Sequence, residues 1–337
     1  MAIEIGNVNA DTSVKLGSTT IQSGYIGFNQ FYNTYTSILD LYPTSVHHAY
    51  SLRKLKSTYT GKCLRVRRTT TTPSVTSTTV DLDFDVFNRI SLNSSIAFVS
   101  GTATTSKTLG EFCASVVNGY SNPDGVNTNQ NIFVVTWFDQ SGNGKNPTNA
   151  TAGQQPRLVN AGNLETSGGK VAVRNIKSSN NILTIVDTTA NINNMSSYWV
   201  GQYVTTITNN IGYSLSAANT VNRFYFPAIN IASSAGIYAA YSGTIVGVLL
   251  DNLINTDRKL FELISPLPGS TTLVQGWTNG SAKGTIAISS GTTASITLGG
   301  SNTTNSFDGY IQEVIGWQSN LNRVEKETNI NSYWTIY

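Results

Sequence analysis

Asn131-Ile132-Phe133-Val134-Val135-Thr136-Trp137-Phe138 runs directly into Asp139-Gln140-Ser141-Gly142-Asn143-Gly144. β-Branched and aromatic residues fill the first half, and the second is polar with two glycines, as in a strand that ends in a tight loop. The same alternation of apolar run and turn residues recurs past residue 170. It predicts strands over 170–175, 181–187, 197–205, 211–216, 222–230, 236–242, 244–251, 257–264, 271–278, 284–289, 294–299 and 308–318. Trp277-Thr278-Asn279-Gly280 adds the Asn-Gly signal of a two-residue hairpin. Short strands at even spacing make a sandwich or a barrel.

Composition points the same way. Of 337 residues only 12% are charged, and Ser, Thr and Asn supply about a third, with 29 Gly, 16 Tyr, 12 Phe and 5 Trp. Long surface helices draw on Ala, Glu, Lys and Leu, so a bundle or coiled coil is disfavoured. A net charge of +3 gives no broad basic face, and no nucleic-acid partner is expected. No stretch approaches 18 apolar residues, so no membrane insertion is expected, and the first twenty residues lack the pattern of a secretory signal.

Upstream of the quoted strand, Ala49, Leu52 and Leu55 recur at helical spacing and predict a short helix ending before Gly61. A second helix is predicted from the capping box Thr108-Leu109-Gly110-Glu111, with Leu109, Phe112, Cys113, Val116 and Val117 as its apolar face and Gly119 as its stop. Seven basic residues fall between Arg53 and Arg68. Arg65 and Arg67 share one strand face, as do Asp81, Asp83 and Asp85, so a hairpin would pair them across strands. The three aspartates lack the glycine turn and closing Glu of a calcium loop, and no metal is expected.

Residues 1–40 read differently. Leu16-Gly17-Ser18-Thr19-Thr20-Ile21 and Ile26-Gly27-Phe28-Asn29-Gln30-Phe31 repeat an apolar, glycine-turn, apolar unit too small to bury its own face. They predict an attachment segment preceding a single domain at 41–337. Cys63 and Cys113 form no disulfide framework, and Cys113 fits a small buried hydrophobe. His47 and His48 are adjacent and therefore point different ways, which gives histidine chemistry little to work with.

Ala49-Tyr50-Ser51-Leu52-Arg53, Tyr59-Thr60-Gly61, Leu64-Arg65-Val66-Arg67-Arg68, the run from Trp137 to Gly144 and Gln155-Pro156-Arg157 resemble the catalytic domain of the α-L-arabinofuranosidase B family. They also resemble related domains of bacteriophage tail and fibre proteins. Leu298-Gly299-Gly300 and Phe307-Asp308-Gly309-Tyr310-Ile311-Gln312-Glu313-Val314 are similar to the closing hairpins of laminin-G-like sandwiches. The resemblance, over about residues 45–337, implies a mainly β, concanavalin A-like jelly-roll sandwich with two short helices. It also implies a virion protein made without a signal peptide and located in the particle. Such a protein would hold other virion proteins through residues 1–40 and form a homo-oligomer, a trimer by family habit.

A retaining glycosidase needs two carboxyl groups about 5–5.5 Å apart. The family's acid is an aspartate in a Gly-Gly-Asp-Asn string, matched here by Gly299-Gly300-Ser301-Asn302, and residues 222–251 hold no glutamate for its nucleophile. The expectation is therefore a non-enzymatic chain with no catalytic residues and no cofactor, displaying a jelly roll to a host-surface glycan. The alternatives are a glycoside hydrolase acting on host polysaccharide and a ligand-free decoration protein. Sugar sites combine an aromatic face with amides and carboxylates, so the candidate carbohydrate-binding residues are Trp277, Asn279, Asp139 and Asn143. Trp199 and Tyr203 offer a second aromatic pair. Asp139 has a local alternative, accepting backbone N–H bonds to fix its own loop.

Overall fold

A computed structural model of the chain describes residues 36–70, 76–126, 128–189, 194–205, 257–265, 273–287, 295–300 and 306–337, together with the strands at 15–16, 19–20, 24–26, 29–31, 210–216, 222–231, 234–241 and 244–252. The chain divides into two compact units, Met1–Thr36 and Ser37–Tyr337. In the first, Lys15–Leu16 pairs with Thr19–Thr20 and Gly24–Ile26 pairs with Asn29–Phe31, one short hairpin for each glycine-turn repeat.

The second unit is a mainly β sandwich. Among the described residues its larger sheet has 13 strands and its smaller has 7, antiparallel throughout. Met195–Tyr203 lies at the middle of the larger sheet, between Lys259–Ser265 and Gly309–Trp317. Trp199 stands opposite Phe261 on one side and Val314 on the other. The smaller sheet carries Leu183–Val186, Ser295–Leu298 and Tyr213–Ser216 side by side. Strands that alternate cleanly in sequence fall within a residue or two of their predicted bounds, because one buried face dictates register.

Three predicted details change. The segment around Ala49 is not a helix but the strand Val46–Ser51, paired with Gly309–Trp317. Five of its six residues are buried, so both faces are apolar or internally bonded and period-2 alternation is lost. The helix at Thr108 runs only over Leu109–Phe112. Ala114 then takes a positive φ of 47°, and Val116 and Val117 end up exposed on a short 3-10 turn that Gly119 closes. Arg323–Trp334 forms an additional helix, with Ile330 and Trp334 buried. Arg323 and Glu327, four residues apart, pair along it at 2.6 Å.

The charged hairpin forms with a different distribution of partners. Leu64–Thr70 pairs with Thr76–Leu82, and Arg65 forks onto Asp81 at 2.7 and 3.0 Å. Asp83 takes Lys62, and Asp85 takes Arg89. Arg67 turns instead to Gln155, and Arg68 donates to the Phe112 carbonyl and reaches Asp124. Glu313 is fully buried, held bidentately by Arg53 at 2.8 and 2.9 Å and by Ser51 and Trp334. That network clamps the last helix to the sheet, since breaking it would strand a buried charge.

Candidate functional site

The loop after Ile132–Trp137 docks on the strand Val46–Ser51. Asp139 Oδ1 accepts the Ala49 N–H at 2.8 Å and the Ser141 N–H at 3.0 Å. Its Oδ2 accepts the Ser141 hydroxyl at 2.6 Å and the Lys145 N–H at 3.1 Å. Burial raises the pKa of this carboxyl, and those four hydrogen bonds oppose the rise. Gln140 accepts from Leu55 N–H and donates to the Ser51 and Arg53 carbonyls. Asn143 donates to the Val46 and His47 carbonyls at 2.8 and 3.1 Å. Gly142 and Gly144 supply the positive φ angles, 90° and 70°, that turn the loop back.

Beside this loop opens a pocket of about 420 Å³, lined by His47, Asn143, Lys145, Thr189, Gln318 and Ser45 among others. Both N–H groups of Asn143 are committed, so its oxygen is what it offers a ligand. Lys145 Nζ donates to Asp187 Oδ1 at 2.8 Å and to Thr189 Oγ1 at 2.6 Å. Burial alone would raise Asp187, but hydrogen bonds from Lys145 and Thr189 hold it below the usual carboxylate range. The ammonium and the carboxylate cancel, which leaves a pocket rich in hydroxyl and amide groups with no net charge.

The two histidines depart from the sequence expectation: they meet rather than diverge. A β-bulge lies where Val46 opposes Trp317 and His48 opposes Gly316, so His47 is the extra residue and adjacent side chains no longer alternate. The facing Nδ1 atoms are 2.9 Å apart. His47 Nε2 lies 3.3 Å from Asp187 Oδ2 and 3.2 Å from Thr189 Oγ1. His48, fully buried, meets the Tyr213 hydroxyl at 2.9 Å and stacks on Tyr50. Burial drives His47 down to about 4 and lowers His48 well below its ordinary value. Because Tyr213 belongs to the smaller sheet and Asp187 directly follows its strand Leu183–Val186, the pair also bridges the two layers.

The remaining candidates stand elsewhere. Trp277 is half-buried with the Arg323 guanidinium 4.8 Å above its ring. Asn279, with φ at 48°, forms the Asn-Gly turn, and its side chain accepts the Leu260 N–H at 2.9 Å. So the structure brings Asp139 and Asn143 together, and places Trp277 and Asn279 on a separate hairpin. Trp199 and Tyr203 are core residues, packed on Phe307 with ring centroids 5.7 and 5.0 Å away.

Behind Trp277, Arg323 bridges Glu262 and Glu327 at 2.8 and 2.6 Å, and burial together with Glu327 pushes Glu262 up to about 8. This acid pair is buried and has an arginine between its members. Cys63 and Cys113 are buried free thiols, Cys113 pushed up to about 12 by burial. Among the described residues no cluster of His, Cys, Asp and Glu could hold a metal ion, and no helix is long and apolar enough to cross a membrane. Sequence reasoning missed His47, Lys145, Asp187 and Thr189, which converge only through the bulge and the sheet-to-sheet contact.

Ser301 and the side chains of 222–251, on which the missing acid and nucleophile were argued, lie outside the described residues. Leu183 pairs with Leu298 and Val186 with Ser295. Asp187 and Gly299 leave this ladder at opposite ends, five residue steps apart, about 17 Å at the usual rise of a strand.

No protein-family model and no curated protein matches the chain. Solved structures do. An arabinofuranosidase complexed with arabinofuranosyl-α-1,2-xylobiose superposes with a TM-score of 0.52 at 14% identity, over 88% of this chain and 64% of that one. A GH54 α-L-arabinofuranosidase soaked with a cyclic sulfate inhibitor gives 0.50 at 15% identity, over 89% and 64%. At these identities the likeness is one of fold, and the chain spans about 64% of the length of those enzymes. It nonetheless overturns the expectation of a chain apart from the enzymes. Nearly the whole of this chain shares its fold with structures solved as arabinofuranosidases, so its fold does not set it apart from enzymes.

Proposed function

We propose that Ser37–Tyr337 is a carbohydrate-recognising sandwich that holds a neutral sugar in the pocket between the Asp139–Lys145 loop and Thr189. The observation that carries this reading is the pocket itself. At about 420 Å³ it falls in the range of small-molecule sites, and it is lined by amide, hydroxyl, ammonium and imidazole groups whose charges cancel. A fold shared with arabinofuranosidases makes arabinofuranosyl oligosaccharides the first ligands to try, and hydrolysis of them a second reading.

Titration calorimetry against arabinofuranosyl oligosaccharides and a panel of neutral glycans tests it. Thr189→Val and Lys145→Met are each expected to weaken binding about tenfold or more, the loss of one good polar contact. Binding unchanged in both variants, or none to any glycan, would overturn the assignment. Release of arabinose in the same mixtures reads the second possibility directly. The unit Met1–Thr36, with its two small hairpins, is proposed as the attachment segment toward partner proteins. Its placement on a phage particle rests on the sequence resemblance alone.

A further inference from the structure

We propose that His48 and Tyr213, neither of which lines the pocket, are positioning residues that fix the proton of His47 on Nε2 and keep that ring neutral where the pocket is used. For its bearing on sugar the inference rests on the reading above, but the proton arrangement stands on geometry alone.

Each link in the chain dictates the next. The Thr189 hydroxyl gives its own hydrogen to Asp187 Oδ1, so toward His47 Nε2, 3.2 Å away, it can only accept, and Nε2 carries the proton. A neutral His47 then presents a bare Nδ1, and the Nδ1 of His48, 2.9 Å away, must donate to it. His48 is left with a bare Nε2, which takes the Tyr213 hydroxyl proton at 2.9 Å. All three donors point outward, from the smaller sheet through the larger one to the pocket wall. The ring of His48 cannot swing out of line. It stacks on Tyr50 at 5.4 Å, and a β-carbon at position 316 would collide with it, so the facing residue is Gly316.

The groups around the pair support the same state. Asp187, paired with Lys145, sits against His47, and Tyr50 and Tyr213 enclose His48. Lys145 disfavours a second positive charge at His47, and burial does so more strongly than Asp187 favours it. Protonating His47 would also place two N–H donors face to face between the rings. Relief requires the His48 proton to move from Nδ1 to Nε2, with the Tyr213 hydroxyl turning from donor to acceptor. Tyr213 thus resists protonation of a residue it does not touch.

Long-range proton–nitrogen spectra of ¹⁵N-histidine-labelled protein test this, since the two tautomers give different patterns. In the wild type His47 is expected as the Nε2–H form and His48 as the Nδ1–H form, with neither titrating between pH 8 and 5. In Tyr213→Phe the donor to His48 is gone, so His48 should populate both tautomers and the His47 titration should rise by a pH unit or more. An Nδ1–H form of His47 in the wild type, or a titration near 6.5, overturns the proposal whether or not Tyr213→Phe folds. Spectra of Tyr213→Phe superimposable on the wild type also overturn it. Binding of the best neutral arabinofuranosyl oligosaccharide should lose affinity with acid earlier in Tyr213→Phe. Expected tautomers without any sugar binding would sink the sugar reading and leave the relay standing. Sugar binding with unchanged tautomers would do the reverse.

Discussion

His47 and His48 carry most of what single residues contribute to this molecule's response to pH. His47 is held at about 4 when folded and returns to about 6.5 when unfolded. Between those values the unfolded chain binds a proton that the folded chain refuses, so acid favours unfolding. The stability tied to this group is complete above pH 6.5 and is lost as pH falls through 4. A gap of that size corresponds to about 3 kcal/mol. His48, lowered well below its ordinary value by burial, pulls in the same direction. His47→Gln keeps a polar side chain but cannot take up the proton. Urea unfolding midpoints measured from pH 7 to pH 4 should therefore fall less steeply for His47→Gln than for the wild type. Parallel curves would show that His47 does not titrate as its burial requires.

The loop 139–145 and the strand Val46–Ser51 behave as one element, because the loop's side chains supply bonds that a neighbouring strand would otherwise give. Four donors converge on the Asp139 carboxylate, three of them backbone N–H groups. Asp139→Ala orphans them in a site that is 4% exposed, and a loss of about 3 kcal/mol is expected. Chemical denaturation should show it as a shifted midpoint with an unchanged slope, and a change under 1 kcal/mol would mean that water replaces the carboxylate. This element also marks what could be read in advance. The strand Ile132–Trp137, the capped turn at Thr108 and the pairing of Arg65 with Asp81 all announce themselves locally, through alternation, a capping box and matched charge. Val46–Ser51 does not. Buried on both faces, it shows no period, and Ala49, Leu52 and Leu55 mimic a helix. Nor did the pocket announce itself: Asn143 and Asp139 were visible as loop polar groups, whereas Asp187 and Tyr213 reach the histidines from another sheet.

For the chain as a whole, the consequential boundary is the one at residue 36. Sequence repeats placed the end of the leading segment near residue 40, and the compact units meet between Thr36 and Ser37. The few residues between those positions belong energetically to the sandwich. Ile38 and Leu39 are 0% and 2% exposed, and the Leu39 N–H donates to the Leu55 carbonyl at 2.9 Å. Asp40 accepts the Ser57 N–H at 2.9 Å. Removing residues 1–36 leaves each of these contacts in place, so the thermal midpoint of the remainder should match that of the full chain. Removing 1–40 takes away two buried aliphatic side chains, worth about 1.5–3 kcal/mol apiece, together with the Asp40 bond. The longer deletion should therefore unfold well below the shorter one. Two truncations with equal midpoints would place Ile38 and Leu39 outside the cooperative core. A shorter truncation that melts early would instead tie Met1–Thr36 to the stability of the sandwich.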